Sequence, residues 1–389
     1  MIIAQTIANQ LERASWIRRM FEAGAHLRHE RGAQNVFDFT LGNPDLDPPA
    51  VVVEALHAAA LNDAPGIHGY MNNAGYSDVR EALADRLARD TGLPYTANHI
   101  LMTVGSSGAI NTVLKAMLDP GDEVIVLLPC FPEYRFYIEN HAGRVVEVET
   151  ARDFQPDIAN IERALTPRTR AIILNSPNNP TGAIYSAEVL RELESLLSRA
   201  ASLPVVISDE PYRAIVFDGI TVPETSSILS RCITATSWSK AWAISGERIG
   251  YLAISPRLAE ADLLRNACTF TNRILGYINA PAIWQRVVLR AHGALPEVAE
   301  YQRRRDHMCA MLQRIGYQFD VPRGTFYVFP QTPIPDDLAF VQHLVHEGIL
   351  AVPGSGFGRS GYFRLALTSP CEVIDRAESG FSRAFHAAG

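Results

Sequence analysis

The sequence predicts an α/β protein with a large, mostly parallel sheet flanked by helices and a smaller α+β domain. From about residue 50 to 255, short apolar runs alternate with stretches of helical spacing, which is typical of parallel βαβ units. After about residue 280 this alternation gives way to a different mixture of helices and strands. The chain has 389 residues, more than one hydrophobic core usually supports. We therefore expect an N-terminal arm with part of the small domain (1–48), a large domain (49–283) and a small C-terminal domain (284–389).

The elements of the large domain follow in order from residue 79. Residues 79–92 carry apolar side chains at a spacing near 3.6, and 100–104 form a strand-like run. A second helical pattern covers 109–118 and ends at the turn DPGDE, before the apolar run 124–128. Further strand-like runs lie at 145–148, 171–174, 205–208, 232–236 and 250–254. Because ligands bind beyond the carboxyl ends of parallel strands, the residues after these runs are candidates for a functional site.

The remaining elements belong to the predicted small domain. A long helical stretch is expected from about 281 to 315, and a last helix closes the chain. Between them lie three strand-like runs and one helical pattern, at 325–330, 336–348 (helical), 349–353 and 362–367. The first ~45 residues, a helical stretch followed by VFDFTLGNPD, are expected to pack beside this domain.

The composition excludes several classes of partner. A net charge of −7 and an isoelectric point of about 5.9 provide no general attraction for nucleic acid or an anionic membrane. No apolar run reaches the roughly 20 residues that cross a bilayer, and the early Glu12 argues against a secretory signal. The five cysteines are scattered and lack metal-ligand spacing, so we expect no metal, and we interpret them as thiols of a cytoplasmic protein. Cys130 stands out because it adjoins a candidate site segment.

Lysine is rare in this chain. Lys115 and Lys240 are the two lysines among 35 Lys and Arg residues. Lys240 directly follows an apolar run, within SWSKAWAISGERIG (237–250). A surface lysine is the plain alternative. A guanidinium stays protonated at physiological pH, however, whereas an amine can become neutral and nucleophilic, so Lys240 is a candidate for chemistry that arginine does not perform.

Small, polar and aromatic residues follow the first strands. GSSGA (105–109) opens a helix, where free N–H groups suit an anion such as phosphate, although an ordinary helix cap explains the same residues. Phe131 follows the run 124–128 and is either a flat partner for a ligand or a core aromatic. NSPNNPTG (175–182) contains three asparagines, which either reach a ligand or form a turn.

A carboxylate and the rare lysine follow the last two strands of this series. Asp209 ends the run 205–208, where a buried carboxylate needs a cation or a proton unless it caps a helix. Together, five strand ends supply a phosphate site, an aromatic ring, amides, a carboxylate and an amine. Pyridoxal 5'-phosphate (PLP) requires this set, because its phosphate, ring, pyridine nitrogen and aldehyde each need one of these partners.

These motifs resemble those of the class I aminotransferases, which are fold-type I PLP enzymes. The resemblance runs from LGNPD (41–45) to YFRLAL (362–367), with NSPNNPTG, SDEPY and SWSK…GERIGY in the family's order. It implies an enzyme that moves an amino group between an L-amino acid and a 2-oxo acid by a ping-pong mechanism. It also implies a homodimer with active sites at the subunit interface. The pattern is most similar to bacterial sequences labelled aspartate aminotransferase.

The resemblance implies a role for each matching residue. Lys240 resembles the lysine that forms the internal aldimine and moves the proton, and Asp209 resembles the partner of the pyridine nitrogen. Tyr212 and Asn179 match the phenol and the amide at the cofactor O3', and Phe131 matches the stacked ring. Residues that match the phosphate ligands are Gly105, Ser106, Ser107, Ser237, Arg248 and, from the neighbouring subunit, Tyr70.

The resemblance also implies how the substrate binds. Arg364 resembles the arginine that binds the α-carboxylate, with Asn179 and the backbone of Gly42 beside it. Some aspartate-specific relatives bind the second carboxylate with a lysine at the position of Ser107, and others with a partner-subunit arginine. Arg273 lies one residue from that arginine's position, so it either contacts the substrate or is a structural arginine. The amino acid and the oxo acid stay open.

Two other functions share parts of this pattern. A PLP enzyme of secondary metabolism with the same fold uses the substrate carbanion for β- or γ-elimination, replacement or cyclisation, and needs the same lysine, aspartate and arginine. A PLP-binding transcription regulator needs a DNA-binding domain, for which we find neither extra length nor a basic segment. We therefore expect transamination.

Overall fold

The strands occupy the positions that the apolar runs predict. The structure, a computed structural model, describes residues 2–13, 28, 29 and 31–388. Its strands are β1 (Phe37–Asp38), β2 (Ile100–Thr103), β3 (Glu123–Leu128), β4 (Arg144–Glu149), β5 (Thr169–Asn175), β6 (Val205–Asp209), β7 (Cys232–Ser237), β8 (Gly250–Ile254), β9 (Tyr327–Val328), β10 (Ile349–Leu350), β11 (Val352–Pro353) and β12 (Phe363–Ala366).

The largest sheet confirms the predicted fold class. Its seven strands lie in the order β2-β8-β7-β6-β5-β3-β4, and β8 alone runs in the direction opposite to the other six. In β3, Val124 and Val126 pack into the core on one face of the sheet, whereas Ile125 and Leu127 pack into the core on the other. Both faces are therefore covered, which is why these strands are continuous apolar runs in the sequence.

Helices alternate with the strands along the chain. They are α1 (Gln5–Arg13), α2 (Ala50–Ala60), α3 (Ser77–Thr91), α4 (Gly105–Met117), α5 (Glu133–Asn140), α6 (Ile158–Ala164), α7 (Ala187–Leu197), α8 (Thr225–Ile228), α9 (Ala261–Ile274), α10 (Ala282–Ala291), α11 (Val298–Ile315), α12 (Asp337–His346) and α13 (Cys371–Ala388). Within the described residues, no helix combines the length and the apolar character of a membrane span.

The predicted helix 281–315 is wrong in one respect, because two helices, α10 and α11, cover this stretch. The segment between them contains Gly293 and Pro296. Proline lacks the N–H of a helical hydrogen bond and glycine favours other conformations, so the helix is interrupted here. The apolar periodicity of the sequence continues across this break and therefore does not reveal it.

Two small sheets lie outside the large one. In the first, β1 pairs in parallel with β10, so that Phe37 lies opposite Ile349. The second is antiparallel, in the order β11-β12-β9. The predicted run 349–353 is thus divided between two sheets. The first strand of the chain joins the C-terminal part, as the sequence predicts, whereas the domain boundaries stay a prediction.

Candidate active site

A cavity of about 310 Å³ opens where β3, β5, β6 and β7 end and β8 begins. Most of the sequence-predicted site residues line it, namely Gly42, Ser106, Ser107, Phe131, Asn179, Asp209, Tyr212, Ser237, Lys240, Arg248 and Arg364. Parallel strands bring their carboxyl ends to one edge of a sheet, which explains why residues far apart in sequence meet here. Because β8 is antiparallel, Arg248 precedes its strand yet lies at the same edge.

Lys240 lies in the turn after β7, with its amine directed into the cavity. The Nζ donates a hydrogen bond to the backbone oxygen of Gly42 at 2.7 Å. Burial, followed by the positive charges of Arg364 and Arg248, lowers the pKa of the Lys240 amine from its usual 10.5 to about 8. The amine therefore loses its proton far more readily than an exposed lysine does, which a nucleophile requires.

Asp209 ends β6 and is buried, with 5% of its surface exposed. The Tyr134 hydroxyl donates a hydrogen bond of 2.5 Å to Oδ2, and the Asn175 amide donates one of 2.9 Å to the backbone oxygen. The other carboxylate oxygen, Oδ1, is buried and has no partner among the described residues. Burial raises the pKa of the Asp209 carboxyl to about 7, against the opposing effects of the hydroxyls of Tyr134 and Ser106. An unpartnered buried carboxylate oxygen calls for a cationic or protonated ligand atom.

The start of helix α4 forms a close-packed cradle with Arg248. Gly105 has a φ of +81°, and a Cβ there would lie 2.8 Å from Nη2 of Arg248. Arg248 adopts a left-handed conformation with a φ of 53°, and its Nη1 donates to the Ser245 oxygen at 2.8 Å. A Cβ at Gly250 would lie 2.9 Å from the Cα of Gly105. Free N–H groups, a guanidinium and the hydroxyls that line this end of the cavity together suit a phosphate dianion.

Arg364 belongs to β12 and lines the same cavity. Its Nη1 donates to Oδ1 of Asn179 at 2.9 Å, and its Nη2 donates to the backbone oxygen of Thr40 at 2.7 Å. The guanidinium lies 4.3 Å from the ring centre of Tyr327 and 4.8 Å from that of Phe357. Its Nε is buried without a partner among the described residues. A buried arginine with donor capacity left over is suited to a carboxylate ligand.

Comparisons with known proteins identify the family. The family model of aminotransferase class I and II matches residues 34–379. The chain belongs to this family. The aminotransferase is 35% identical to the aspartate/prephenate aminotransferase of Thermus thermophilus over 92% of its own length and 93% of that protein's. It is 30% identical to the aromatic-amino-acid aminotransferase 2 of Thermococcus litoralis, with 93% of each chain covered.

Solved structures agree. An aminotransferase from Eubacterium rectale superposes with a TM-score of 0.96 at 32% identity, covering 100% of each chain. A single mutant of the Thermus thermophilus aspartate aminotransferase has a TM-score of 0.88 at 31% identity, covering 99% of this chain and 100% of that one. The enzyme is a PLP-dependent aminotransferase, and the comparisons do not favour an elimination or cyclisation enzyme.

The cavity of the aminotransferase has the right groups for PLP. The lone oxygen of Asp209 suits a protonated ring nitrogen, and the cradle at Gly105 suits a phosphate. Lys240 lines the same cavity, and its amine would be the group that condenses with the aldehyde of PLP. Phe131, half-buried on the cavity wall, is available to stack on the ring.

Three of the predicted site residues do not line this cavity, namely Gly105, which adjoins Arg248, and Tyr70 and Arg273, which lie elsewhere. Tyr70 is 88% exposed on a loop and lines a separate surface depression. Arg273 is exposed near the end of α9, with its guanidinium 5.3 Å from the ring centre of Phe270. Lys115 is exposed on α4, and Cys130 is buried with its thiol pKa raised to about 12 by burial.

Sequence reasoning missed four residues of the aminotransferase site. Tyr134 lies in the first turn of α5, and its ring meets that of Phe131, which precedes the helix, edge to face at a centroid distance of 5.5 Å. Asn175 is the first asparagine of NSPNNPTG, and its amide holds both Asp209 and the backbone of Asn179. Tyr327 and Phe357 come from the C-terminal part, and no sequence pattern connects them with the strand ends.

Proposed function

We propose that Lys240, Asp209 and Tyr212 carry out the transamination, in two half-reactions that share one cavity. The observation that supports this most directly is the pairing of a lysine whose pKa falls to about 8 with a buried carboxylate oxygen that lacks a partner. PLP supplies an aldehyde that condenses with amines and a protonated ring that withdraws electrons from the bond that breaks. The remaining chemistry belongs to residues of this chain.

The proposed cofactor contacts are distributed over the strand ends. Asp209 Oδ1 holds the ring nitrogen in its protonated form, and the backbone of α4 holds the phosphate with Arg248. Tyr212 and Asn179 donate to the ring oxygen, and the remaining phosphate and ring contacts come from Gly105, Ser106, Ser107, Ser237 and Phe131. This assignment is supported by the direction of these groups into one cavity.

Lys240 and Arg364 act on the substrate. Arg364 fixes the α-carboxylate with its guanidinium, which Asn179 and the Thr40 backbone hold in place, and the Gly42 backbone borders the same space. With PLP and substrate bound, the Nζ of Lys240 would be the group that accepts the proton from the substrate Cα, holds it and releases it again within the cavity. A pKa of about 8 lets the amine both accept and release this proton near neutral pH.

The proposed substrate is an L-amino acid with an uncharged, apolar or aromatic side chain. Of the side chains that line the described part of the cavity, the cationic ones are Lys240, Arg248 and Arg364, each with a role already proposed. The other walls include Leu41, Phe131, Val352 and Phe357, which offer no partner for a second carboxylate. The name of the Thermococcus litoralis relative points to the same class of substrate, whereas the names of other relatives point to aspartate and prephenate.

The proposed enzyme is a homodimer. Tyr70 is exposed and remote from its own cavity, which is consistent with a phosphate contact in the partner subunit. Leu263, Phe270 and Ile274 expose 65%, 52% and 51% of their surfaces on α9, an apolar face that a second copy would cover. A mixture of Tyr70→Ala and Lys240→Ala subunits tests this, because hybrid dimers regain one intact site, whereas monomers do not complement each other.

The location and the domain division are also proposals. A cytoplasmic location is supported by the five cysteines, all of which are buried and free of disulfides. The division into 1–48, 49–283 and 284–389 is supported by the separation of the large sheet from the two small ones.

The decisive experiment is a half-reaction screen. The purified holoenzyme is mixed with single L-amino acids, and the loss of the bound cofactor's yellow absorbance is followed by stopped flow. We expect phenylalanine, tyrosine and leucine to react faster than aspartate and glutamate. If aspartate reacts fastest, the substrate proposal is wrong, and loss of that rate in Arg273→Gln would identify the second carboxylate's partner. If no amino acid reacts, the proposed residue roles fail.

A further inference from the structure

Tyr327 contacts both Arg364 and Tyr212 in the active site, although no strand-end pattern in the sequence indicated it. It is 2% exposed and lies in β9, directly opposite Ala366 of β12. Arg364 is two residues from Ala366, so it lies on the same face and diagonally across from Tyr327. The Tyr327 ring therefore lies beneath the guanidinium, 4.3 Å from it. This geometry supports the arginine that faces the substrate carboxylate.

The hydroxyl of Tyr327 contacts Tyr212 and the backbone of Gly42. It lies 3.2 Å from the hydroxyl of Tyr212, with the two rings edge to face at a centroid distance of 5.8 Å. It also lies against the backbone of Gly42, where a Cβ would come within 1.6 Å of the phenol oxygen. The backbone oxygen of Gly42 accepts the hydrogen bond from Lys240. One side chain thus touches Arg364, Tyr212 and the loop that holds the lysine.

A single hydrogen bond joins the two phenols, and it uses the proton of only one of them. A hydroxyl donates once, so one of the two oxygens accepts, and the residue that accepts keeps its own proton for another partner. Tyr212 and Tyr327 both line the cavity, but Tyr327 is packed against Gly42, which leaves Tyr212 the freer of the two to donate towards a ligand.

We propose that Tyr327 is a positioning residue that donates to Tyr212, so that Tyr212 keeps its proton for the cofactor ring oxygen, and that the Tyr327 ring supports Arg364. The proposal rests on the proposed function of this cavity. A phenol that accepts a hydrogen bond is a stronger donor itself, so the ring oxygen is better stabilised as an anion. Tyr327 then sets the pH at which the bound cofactor loses its proton.

Tyr327→Phe removes the hydroxyl and keeps the ring. In the holoenzyme, we expect the pH midpoint of the bound cofactor's absorbance change to rise by roughly 0.5 or more, because a weaker Tyr212 donor stabilises the deprotonated form less. Binding of 3-phenylpropionate, a monocarboxylate without an amino group, should stay within about twofold of wild type because the ring remains under Arg364. Tyr327→Leu, which lacks the ring as well, should in addition weaken 3-phenylpropionate binding about 3- to 30-fold.

Two further variants separate this role from a general effect on packing. Tyr317→Phe removes another buried hydroxyl, which donates a hydrogen bond of 3.0 Å to the backbone oxygen of Phe381. Because Tyr317 does not line the cavity, this variant should leave the midpoint unchanged. Gly42→Ala forces the Tyr327 hydroxyl aside through the added Cβ and should raise the midpoint as Tyr327→Phe does.

The outcomes are distinct. A midpoint raised in Tyr327→Phe and Gly42→Ala but not in Tyr317→Phe supports the proposal. An unchanged midpoint in Tyr327→Phe overturns it, and so does an equal rise in Tyr317→Phe. Failure of the proposed function has a different signature. In that case the wild type shows no pH-dependent absorbance change, or shows one that persists in Lys240→Ala.

Discussion

The lowered pKa of Lys240 is the feature of this site with the most direct test. Burial is the largest of the three causes that lower it from the usual 10.5 to about 8, ahead of the charges of Arg364 and Arg248. Removal of the Arg364 charge should therefore reverse only part of the decrease. In Arg364→Gln, which removes the charge, we expect the pKa of Lys240 in the apoenzyme to rise by roughly 0.5 to 1. The reactive, unprotonated amine at pH 7 then falls about 3- to 10-fold.

The two lysines make this measurable. Competitive labelling with limiting acetic anhydride across a pH series, read by mass spectrometry, reports Lys240 and the exposed Lys115 in one sample. The rate at Lys240 relative to Lys115 gives the midpoint. Arg314→Gln is the matched control, because Arg314 pairs with Glu378 on the surface. A Lys240 midpoint near 10.5 in the wild type, or the same midpoint in Arg364→Gln, would refute the electrostatic reasoning.

Three other changes have defined outcomes. Asp209→Asn should raise the dissociation constant for PLP about 10- to 100-fold, because it removes a buried charged partner of the ring nitrogen; an unchanged constant in equilibrium dialysis would contradict this. Gly105→Ala should weaken PLP binding and lower the thermal stability, since its Cβ would lie 2.8 Å from Arg248 and the backbone φ is +81°. Gly92→Ala is the control, because Gly92 has a φ of +71° but no atom within 4 Å of the added Cβ, so its thermal unfolding reports the backbone strain alone. Arg364→Lys should raise KM for the amino acid at least about 10-fold with a smaller effect on kcat, because a single ammonium does not replace the paired N–H donors of a guanidinium. A fall in kcat as large as the rise in KM in steady-state assays would speak against a binding role.

Much of the fold is readable from the sequence. Each of the apolar runs between 100 and 254 is a strand of the large sheet. The inner strands are mostly apolar because both faces of the sheet are covered, whereas the edge strand β4 also carries Arg144, Glu147 and Glu149. The break between α10 and α11 was missed, since apolar periodicity continues across Gly293 and Pro296. The division of 349–353 between two sheets was also missed, because pairing partners are set by tertiary contacts.

The sequence alone determined which chemical groups are available: a rare lysine, a carboxylate, a glycine-serine helix start and an arginine, at strand ends or within a strand. The tertiary structure decided the protonation equilibria of these groups and which other side chains contact them. Burial lowers the pKa of Lys240 and raises that of Asp209, and burial depends on segments far away in the chain. Tyr134 and Tyr327 enter the site through contacts 75 and 115 residues apart in sequence, with Asp209 and Tyr212. No local pattern encodes such contacts, because hydrogen bonds and desolvation act through distances in space rather than along the chain.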